Sequence, residues 1–387
     1  MCHRRNQSSK KFFLMDKDIN RNGSKVDFGF RNSKRKNNSI DTEHQLLQYL
    51  KIEKNIRIEE YNNNYILESK RKFDYQPFSD HKLEILRNEY DLVKLTEPYK
   101  DEFDKFKILR DWVRRQWKYG YPDEVSRDYD SIDILRRAKN GESFWCSEYA
   151  VVFIQCALSL GYQARYVALR KGHVIAEIWS NEFKKWVIMD PTFNIHFEKK
   201  GIPLNCLDLF NAFNDNQTEE ICVMEGNYKP EDICIKFGVH ELTGISIKNY
   251  RYKTMDYYSE GFSIRMRNDW FTNKYPKLHP KGNMVTNSIT WGGSKHRAIR
   301  DFYFPLNVTA VKLERMNNVS IGFNIFLNTF TPNFSHFVVY IDEKSKDVTG
   351  DDHLVWILHK GKNYFNVASV NKFGIKGAGS YITLYLE

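Results

Sequence analysis

The chain is short of cysteine, of proline and of long apolar runs. Six Cys and ten Pro are spread over 387 residues. Six thiols with no C-x-x-C pair exclude a disulfide-dense small scaffold and argue for buried free thiols. Cys206, Cys222 and Cys234 with a histidine are the one arrangement that could hold zinc, and neither metal nor cofactor is expected. No uncharged apolar run nears the roughly 18–20 residues of a spanning helix, so no transmembrane segment is expected. An acidic calcium loop of the Asp-x-Asp-x-Asn-Gly kind is missing too. What the chain does hold is apolar and aromatic surface, at 41% and 15%, enough to exclude wholesale disorder. Its length suggests two or three domains at about 150 residues each.

The formal charge of +10 has a local source. Residues 1–40 carry eleven Lys and Arg against Asp16, Asp18 and Asp27, which leaves about +2 for everything else. A nearly neutral body carries no basic face, so no nucleic acid is expected as partner. The tail, rich in Asn, Ser and Gly as well, reads as disordered and solvated. Phe12-Phe13-Leu14-Met15 is shorter than the roughly 7–15-residue apolar segment of an export signal. A cytoplasmic location is therefore expected; a start further upstream would allow a secreted or cell-surface one.

Periodicity divides the rest. Thr42–Lys51 reads as a helical piece and Tyr65-Ile66-Leu67 as a short strand. A helix from His81 ends before Pro98, and Glu102–Trp117 places Phe103, Phe106, Leu109, Trp112, Val113 and Trp117 on one face. Ser131–Lys139 forms a short helix that stops at Asn140-Gly141. Ser143 stands as the N-cap of a helix Cys146–Leu160, apolar nearly all round and so central to a domain. Strands follow at Ala164–Leu169, His173–Trp179 and Lys185–Asp190, an α+β order. From Phe302 to Glu387, short alternating runs separated by turn residues predict a small antiparallel β-sandwich. The expected domains are a basic tail (1–40), an α+β domain with a helical extension (41–250), a connecting or covering segment (251–300) and the sandwich (301–387).

Cys146, His173 and Asp190 are the residues that carry chemistry. In the first turn of a buried helix, Cys146 meets the free N–H groups and the positive end of the macrodipole, which favour a thiolate. If the hairpin turns on Asn181-Glu182, residues summing to 363 face each other, and His173 and Asp190 are such a pair. They would then stand about 4.5–5.5 Å apart. The carboxylate would hold one imidazole nitrogen and leave the other for the sulfur. Cys156, ten residues on among Phe153 and Ala157, is assigned to packing.

The same segment resembles the transglutaminase-like, or papain-like thiol, superfamily. The residues that carry the resemblance are Gly141-Glu142-Ser143-Phe144-Trp145-Cys146-Ser147-Glu148-Tyr149-Ala150, Leu160-Gly161-Tyr162-Gln163-Ala164-Arg165, Gly172-His173-Val174-Ile175-Ala176-Glu177-Ile178-Trp179 and Lys185-Trp186-Val187-Ile188-Met189-Asp190-Pro191-Thr192. It covers about residues 80–215, with Ser131-Ile132-Asp133-Ile134-Leu135 upstream and Gly201-Ile202-Pro203-Leu204 downstream. The papain pattern C-G-[SA]-C is absent, so the likeness is not to papain proper. The resemblance implies a buried helix on an antiparallel sheet, with Cys146 as nucleophile, His173 as base and Asp190 as orienting carboxylate. It also implies an oxyanion site of the Cys146 N–H and one upstream side chain, with Trp117 the first choice and Gln116 or Tyr129 open. The expected reaction is hydrolysis of peptide-type amides through a thioester, on a protein or peptide substrate. Protein-glutamine transamidation is the alternative, and an inactive interaction module the non-enzymatic one. The sandwich either positions a polymeric substrate or is a structural appendage.

Overall fold

The structure is a computed structural model, and it describes residues 55–64, 72–122, 130–227, 254–269, 288–292, 299–316, 321–349 and 353–387. The basic tail, the pieces at Thr42–Lys51 and Tyr65–Leu67, Tyr129 and Cys234 lie outside the described residues.

The helices come first. His81–Glu89 (α1) begins at Asp80, whose carboxylate accepts from the Lys82 N–H. The single helix expected up to Pro98 breaks at Asp91, which takes φ 50°, and resumes as Leu92–Thr96 (α2). Glu102–Arg114 (α3) stops three residues short of the expected Trp117. Ser131–Lys139 (α4) has the expected bounds, with Asp130 capping the Ile132 N–H. Every residue of Cys146–Ser159 (α5) is buried. It ends in a Schellman turn, with Gly161 N–H donating to Leu158 O and Tyr162 N–H to Ala157 O, 2.9 and 3.0 Å. Gly161 takes φ +88°, and a Cβ there would stand 2.5 Å from Phe373. Cys206–Asn214 (α6) starts on a reciprocal capping box between Asn205 and Asp208.

Among the described residues, four antiparallel sheets accompany the helices. Ile56–Asn62 (β1) pairs with the last strand of the chain. Ala164–Leu169 (β2), His173–Ser180 (β3) and Lys185–Met189 (β4) belong to a five-stranded sheet at the centre of the domain. Ile195–Lys199 (β5), Ile202–Pro203 (β6) and Ile221–Glu225 (β7) make a small sheet in the order β6-β5-β7. Phe262–Arg265 (β8) and Ser288–Trp291 (β9), from the stretch expected to connect or cover, extend the central sheet to β4-β3-β2-β8-β9. Thr309–Arg315 (β10), Gly322–Thr329 (β11) and Leu354–Ile357 (β14) form a three-stranded sheet. Phe334–Ile341 (β12), Lys344–Val348 (β13), Gly361–Asn371 (β15) and Ser380–Leu386 (β16) join β1 in the order β1-β16-β15-β12-β13.

Two faces of the central sheet feed two cores. Ala164, Tyr166, Ala176, Ile178, Val187 and Met189 pack with α5 and the other helices. Val167, Leu169, Ile175, Trp179, Trp186 and Ile188 pack instead with Phe193, Phe197, Leu209 and Phe262. A third core, around Trp356, Phe365 and Leu384, takes residues from both C-terminal sheets.

Candidate active site

Cys146 opens α5, and the capping there differs from the expected one. Ser143 is not the cap: Trp145 occupies that position, with no side-chain hydrogen bond of its own. Glu148 reaches back instead, its carboxyl accepting from the Ser147 hydroxyl at 2.7 Å, with the Trp145 backbone N–H near enough to act on its pKa. Burial pushes the Glu148 carboxyl up to about 7; the Ser147 hydroxyl, backbone N–H groups and Arg137 pull against it. A carboxyl so close to a helix start would ordinarily be fully charged, and here much of that charge is withheld.

His173 opens β3 and Asp190 follows β4, and the register between them is two residues off the one expected. Ser180 faces Lys185 and Ala176 faces Met189, because the hairpin closes through four residues, Asn181 to Lys184, with Lys184 at φ 51°. The Glu102 carboxylate fixes that wider loop by accepting from the Ser180 hydroxyl, the Asn181 N–H and the Asn181 amide at 2.8–2.9 Å. A slip of two keeps every side chain on its face, whereas a slip of one would not. One step further along the ladder would set Asp190 opposite Ile175, diagonal to His173 on the same face.

The contact forms across that diagonal. His173 Nε2 and Asp190 Oδ2 are 2.7 Å apart, with both side chains buried. Asp190 Oδ1 accepts from the Thr192 and Phe193 N–H groups at 3.0 and 3.1 Å, so both carboxylate oxygens are engaged and the direction of the group is set. His173 Nδ1 is buried and makes no hydrogen bond. The Cys146 sulfur approaches this ring closely enough to raise its pKa by hydrogen bonding and by charge, yet short of a formed bond at Nδ1. Burial alone would depress the ring's pKa; the Asp190 carboxylate, with help from Cys146, outweighs it and carries His173 up to about 10. The imidazole is thus protonated at neutral pH.

Two tyrosines that sequence reasoning missed lie within electrostatic reach of Cys146. The Tyr257 ring lies 5.0 Å from that of His173 and stacks on Phe193 at 6.1 Å. Burial, then Asp190 and Cys146, push its hydroxyl up to about 12. Tyr119 pairs its backbone with Phe144, two residues before Cys146, and burial and then Cys146 raise its pKa. Both are neutral O–H groups near the thiol. Tyr257 sits in the stretch expected to connect or cover, and nothing in its neighbourhood in sequence marks it.

Of the three oxyanion candidates, Trp117 has a buried Nε1–H without a partner, its ring stacked on Tyr149 at 4.3 Å and edge-on to Phe144. The Gln116 amide is turned back to donate to Trp112 O at 2.8 Å. Cys156 is fully buried and its thiol pKa is pushed up by burial. Cys206 is buried as well, and among the described residues no three His, Cys, Asp or Glu gather where they could hold a metal ion.

Residues 92–191 match the family model of the transglutaminase-like superfamily, so the chain carries a transglutaminase-like domain there, with helices α2–α5 and the antiparallel strands β2–β4 in the matched span. The matched span runs from the start of α2 to Pro191 and contains Cys146, His173 and Asp190. This is a superfamily of cysteine-based acyltransferases and proteases. No curated protein matches the chain.

Proposed function

We propose that the chain is a cysteine-dependent acyl-transfer enzyme that hydrolyses peptide-type amide bonds, with Cys146 as nucleophile, His173 as acid and base, and Asp190 as the carboxylate that orients and charges the ring. One observation carries this reading: Asp190 holds Nε2 of a buried imidazole while Nδ1, without a partner, is left on the ring that Cys146 approaches. A structural histidine has both nitrogens satisfied.

The Cys146 thiolate attacks the amide carbon and the carbonyl oxygen becomes an oxyanion. The protonated His173 gives its proton to the departing amine as the C–N bond breaks, leaving a thioester. Water then attacks the thioester, His173 takes a proton from it, and the C–S bond breaks to release the acid. As first residue of α5, Cys146 has a backbone N–H with no intrahelical acceptor, which suits one oxyanion donor. The unpartnered Trp117 indole N–H supports its assignment as the other. Tyr119 competes for that role, as a neutral hydroxyl on which Cys146 acts. The two C-terminal sheets with their common core read as a β-sandwich that positions the substrate chain.

Thiol labelling tests the reading. Cys146 should react faster with iodoacetamide at pH 6 than the other cysteines, and His173→Ala should remove the advantage. Equal labelling of all six would leave an inactive interaction module. Incubation with a peptide library and a primary amine, read by mass spectrometry, separates free-acid products from amine adducts. Adducts alone would make the chain a transamidase.

A further inference from the structure

Arg110 is a fully buried arginine with no carboxylate bonded to it among the described residues. It lies on α3, 1% exposed. Its Nε donates to Asn194 Oδ1 at 3.0 Å, and its Nη1 reaches His196 Nδ1 at 2.7 Å and Met189 Sδ at 3.9 Å. Because a guanidinium only donates, His196 Nδ1 must accept; the ring's proton then sits on Nε2, which meets Glu198 Oε1 at 2.9 Å. His196 is therefore neutral, and burial accordingly pushes its pKa down to about 4. A buried cation whose partners are an amide, a neutral imidazole and a thioether is expensive, by several kcal/mol, and a Met or Leu would pack there at less cost.

The turn after Asp190 explains why a charge is kept there. Asp190 and Ile195 exchange two backbone hydrogen bonds of 3.0 Å, which closes Pro191–Asn194 into a tight loop. Asn194, at φ 56°, sits at the end of that loop and is held from three sides. Arg110 donates to its Oδ1, its Nδ2 donates to Asp111 Oδ1 at 2.8 Å, and its carbonyl accepts from the Gly226 N–H at 2.8 Å. The same loop supplies the two N–H groups that bind Asp190 Oδ1. Among the acids that act on Arg110, Asp190 comes first and Asp111 second, and Asp111 is paired with Arg115 at 3.1 Å.

We propose that Arg110 is a positioning residue for the Cys146–His173–Asp190 site: it clamps the Pro191–Asn194 turn and lends Asp190 a second countercharge beside that of His173. The proposal rests on the acyl-transfer reading above. The charged and titratable groups around the pair are His173 on β3, Asp111 and Lys107 on α3, Arg115 at its C-cap, His196 and Glu198 on β5, Tyr257 and Tyr258, and Cys146. None of the others can replace the buried guanidinium against the turn.

The test is the pH dependence of Cys146 alkylation by iodoacetamide in the full chain, with folding checked by circular dichroism. In Arg110→Met and Arg110→Gln the acid limb should move up by about one pH unit, since an opposite charge acts on that scale. Arg110→Lys should leave the limb in place and lower the plateau only severalfold. Asn194→Ala keeps the charge and cuts the clamp, so its plateau should fall with the limb unmoved. Superposable profiles for wild type, Arg110→Met and Arg110→Gln would overturn the charge role, and an unchanged plateau in Asn194→Ala would overturn the clamp. If both neutral variants fail to fold, Asn194→Ala still decides the clamp, and a moved limb in the charge-keeping Arg110→Lys would overturn the charge role. A wild-type Cys146 no faster than Cys156 would instead overturn the acyl-transfer reading itself.

Discussion

Replacing Asp190 with Asn should change the charge of His173 at neutral pH. The ring stands at about 10 against an ordinary 6.5, and burial pulls it the other way. At 1.36 kcal/mol per unit, the protonated form is favoured by roughly 5 kcal/mol, with the Asp190 carboxylate the first favourable cause and Cys146 the second. In Asp190→Asn the amide oxygen could still accept from Thr192 and Phe193, so the turn should survive while the charge goes. Burial, the largest single cause, is then opposed only by Cys146, and the ring should titrate below 7. Nitrogen-15 spectra of the imidazole, assigned by subtraction of His173→Ala, read this directly. Wild type should keep both ring protons through pH 9, and Asp190→Asn should lose one before pH 7. Stability must follow. A raised folded-state pKa on a base contributes in full below 6.5 and is lost as pH rises through 10. Wild type should therefore exceed Asp190→Asn by roughly 4 kcal/mol at pH 7, with the gap closing above pH 10. A ring in Asp190→Asn that still titrates near 10, or a gap indifferent to pH, would refute the reasoning.

Glu148→Gln should stabilise the protein at high pH: a carboxyl raised from 4.5 to about 7 favours folding below 4.5 and loses that as pH passes 7. Relative to wild type, the variant should gain about 3 kcal/mol between pH 4 and pH 8 in urea melts. Trp117→Phe removes only an N–H from a stacked ring, so kcat should fall ~10²–10³-fold with KM unchanged. If Tyr119→Phe shows that loss instead, the oxyanion donor is the tyrosine. Gly161→Ala meets both φ +88° and Phe373, and should cost about 1–3 kcal/mol; Phe373→Ala in the same chain should return part of it. Glu177→Ala strands Arg165, whose Nε and Nη2 donate to Glu177 Oε2 at 2.9 and 2.6 Å with both side chains fully buried. A loss of about 3–5 kcal/mol by urea denaturation is expected.

The local elements were readable because their signals are local. Ser131–Lys139 and Ala164–Leu169 have the bounds expected of them, the first set by its Asn140-Gly141 stop. The His173–Asp190 contact was readable despite a wrong loop length, since a two-residue slip preserves the face. Pairings across long separations were not. β1 joins β16 more than 300 residues away, and no pattern in Ile56–Asn62 names that partner. β13, Lys-Ser-Lys-Asp-Val, has four exposed residues out of five and no alternation to betray it; its partner β12 makes it a strand. Arg110 did leave a trace. It falls four residues after Phe106 and three before Val113, inside the apolar stripe of α3, where a charge is out of place unless something buried answers it.

That rule separates two kinds of residue within the matched span. Arg165 and Glu177 face each other across β2 and β3, and their remaining groups are answered by Phe302 O and the Cys206 N–H, at 2.9 and 2.7 Å. So answered, the pair sets the register of the sheet and has nothing left for a ligand. His173 shares their face, four residues from Glu177, yet keeps one nitrogen without a partner. Leaving a buried polar atom unmet costs about 1–3 kcal/mol, and a second carboxylate or a carbonyl could have met it. The chain bears that cost at the buried imidazole beside which a sulfur waits. Of the two buried ion pairs on this sheet face, only the unfinished one is therefore proposed to do chemistry.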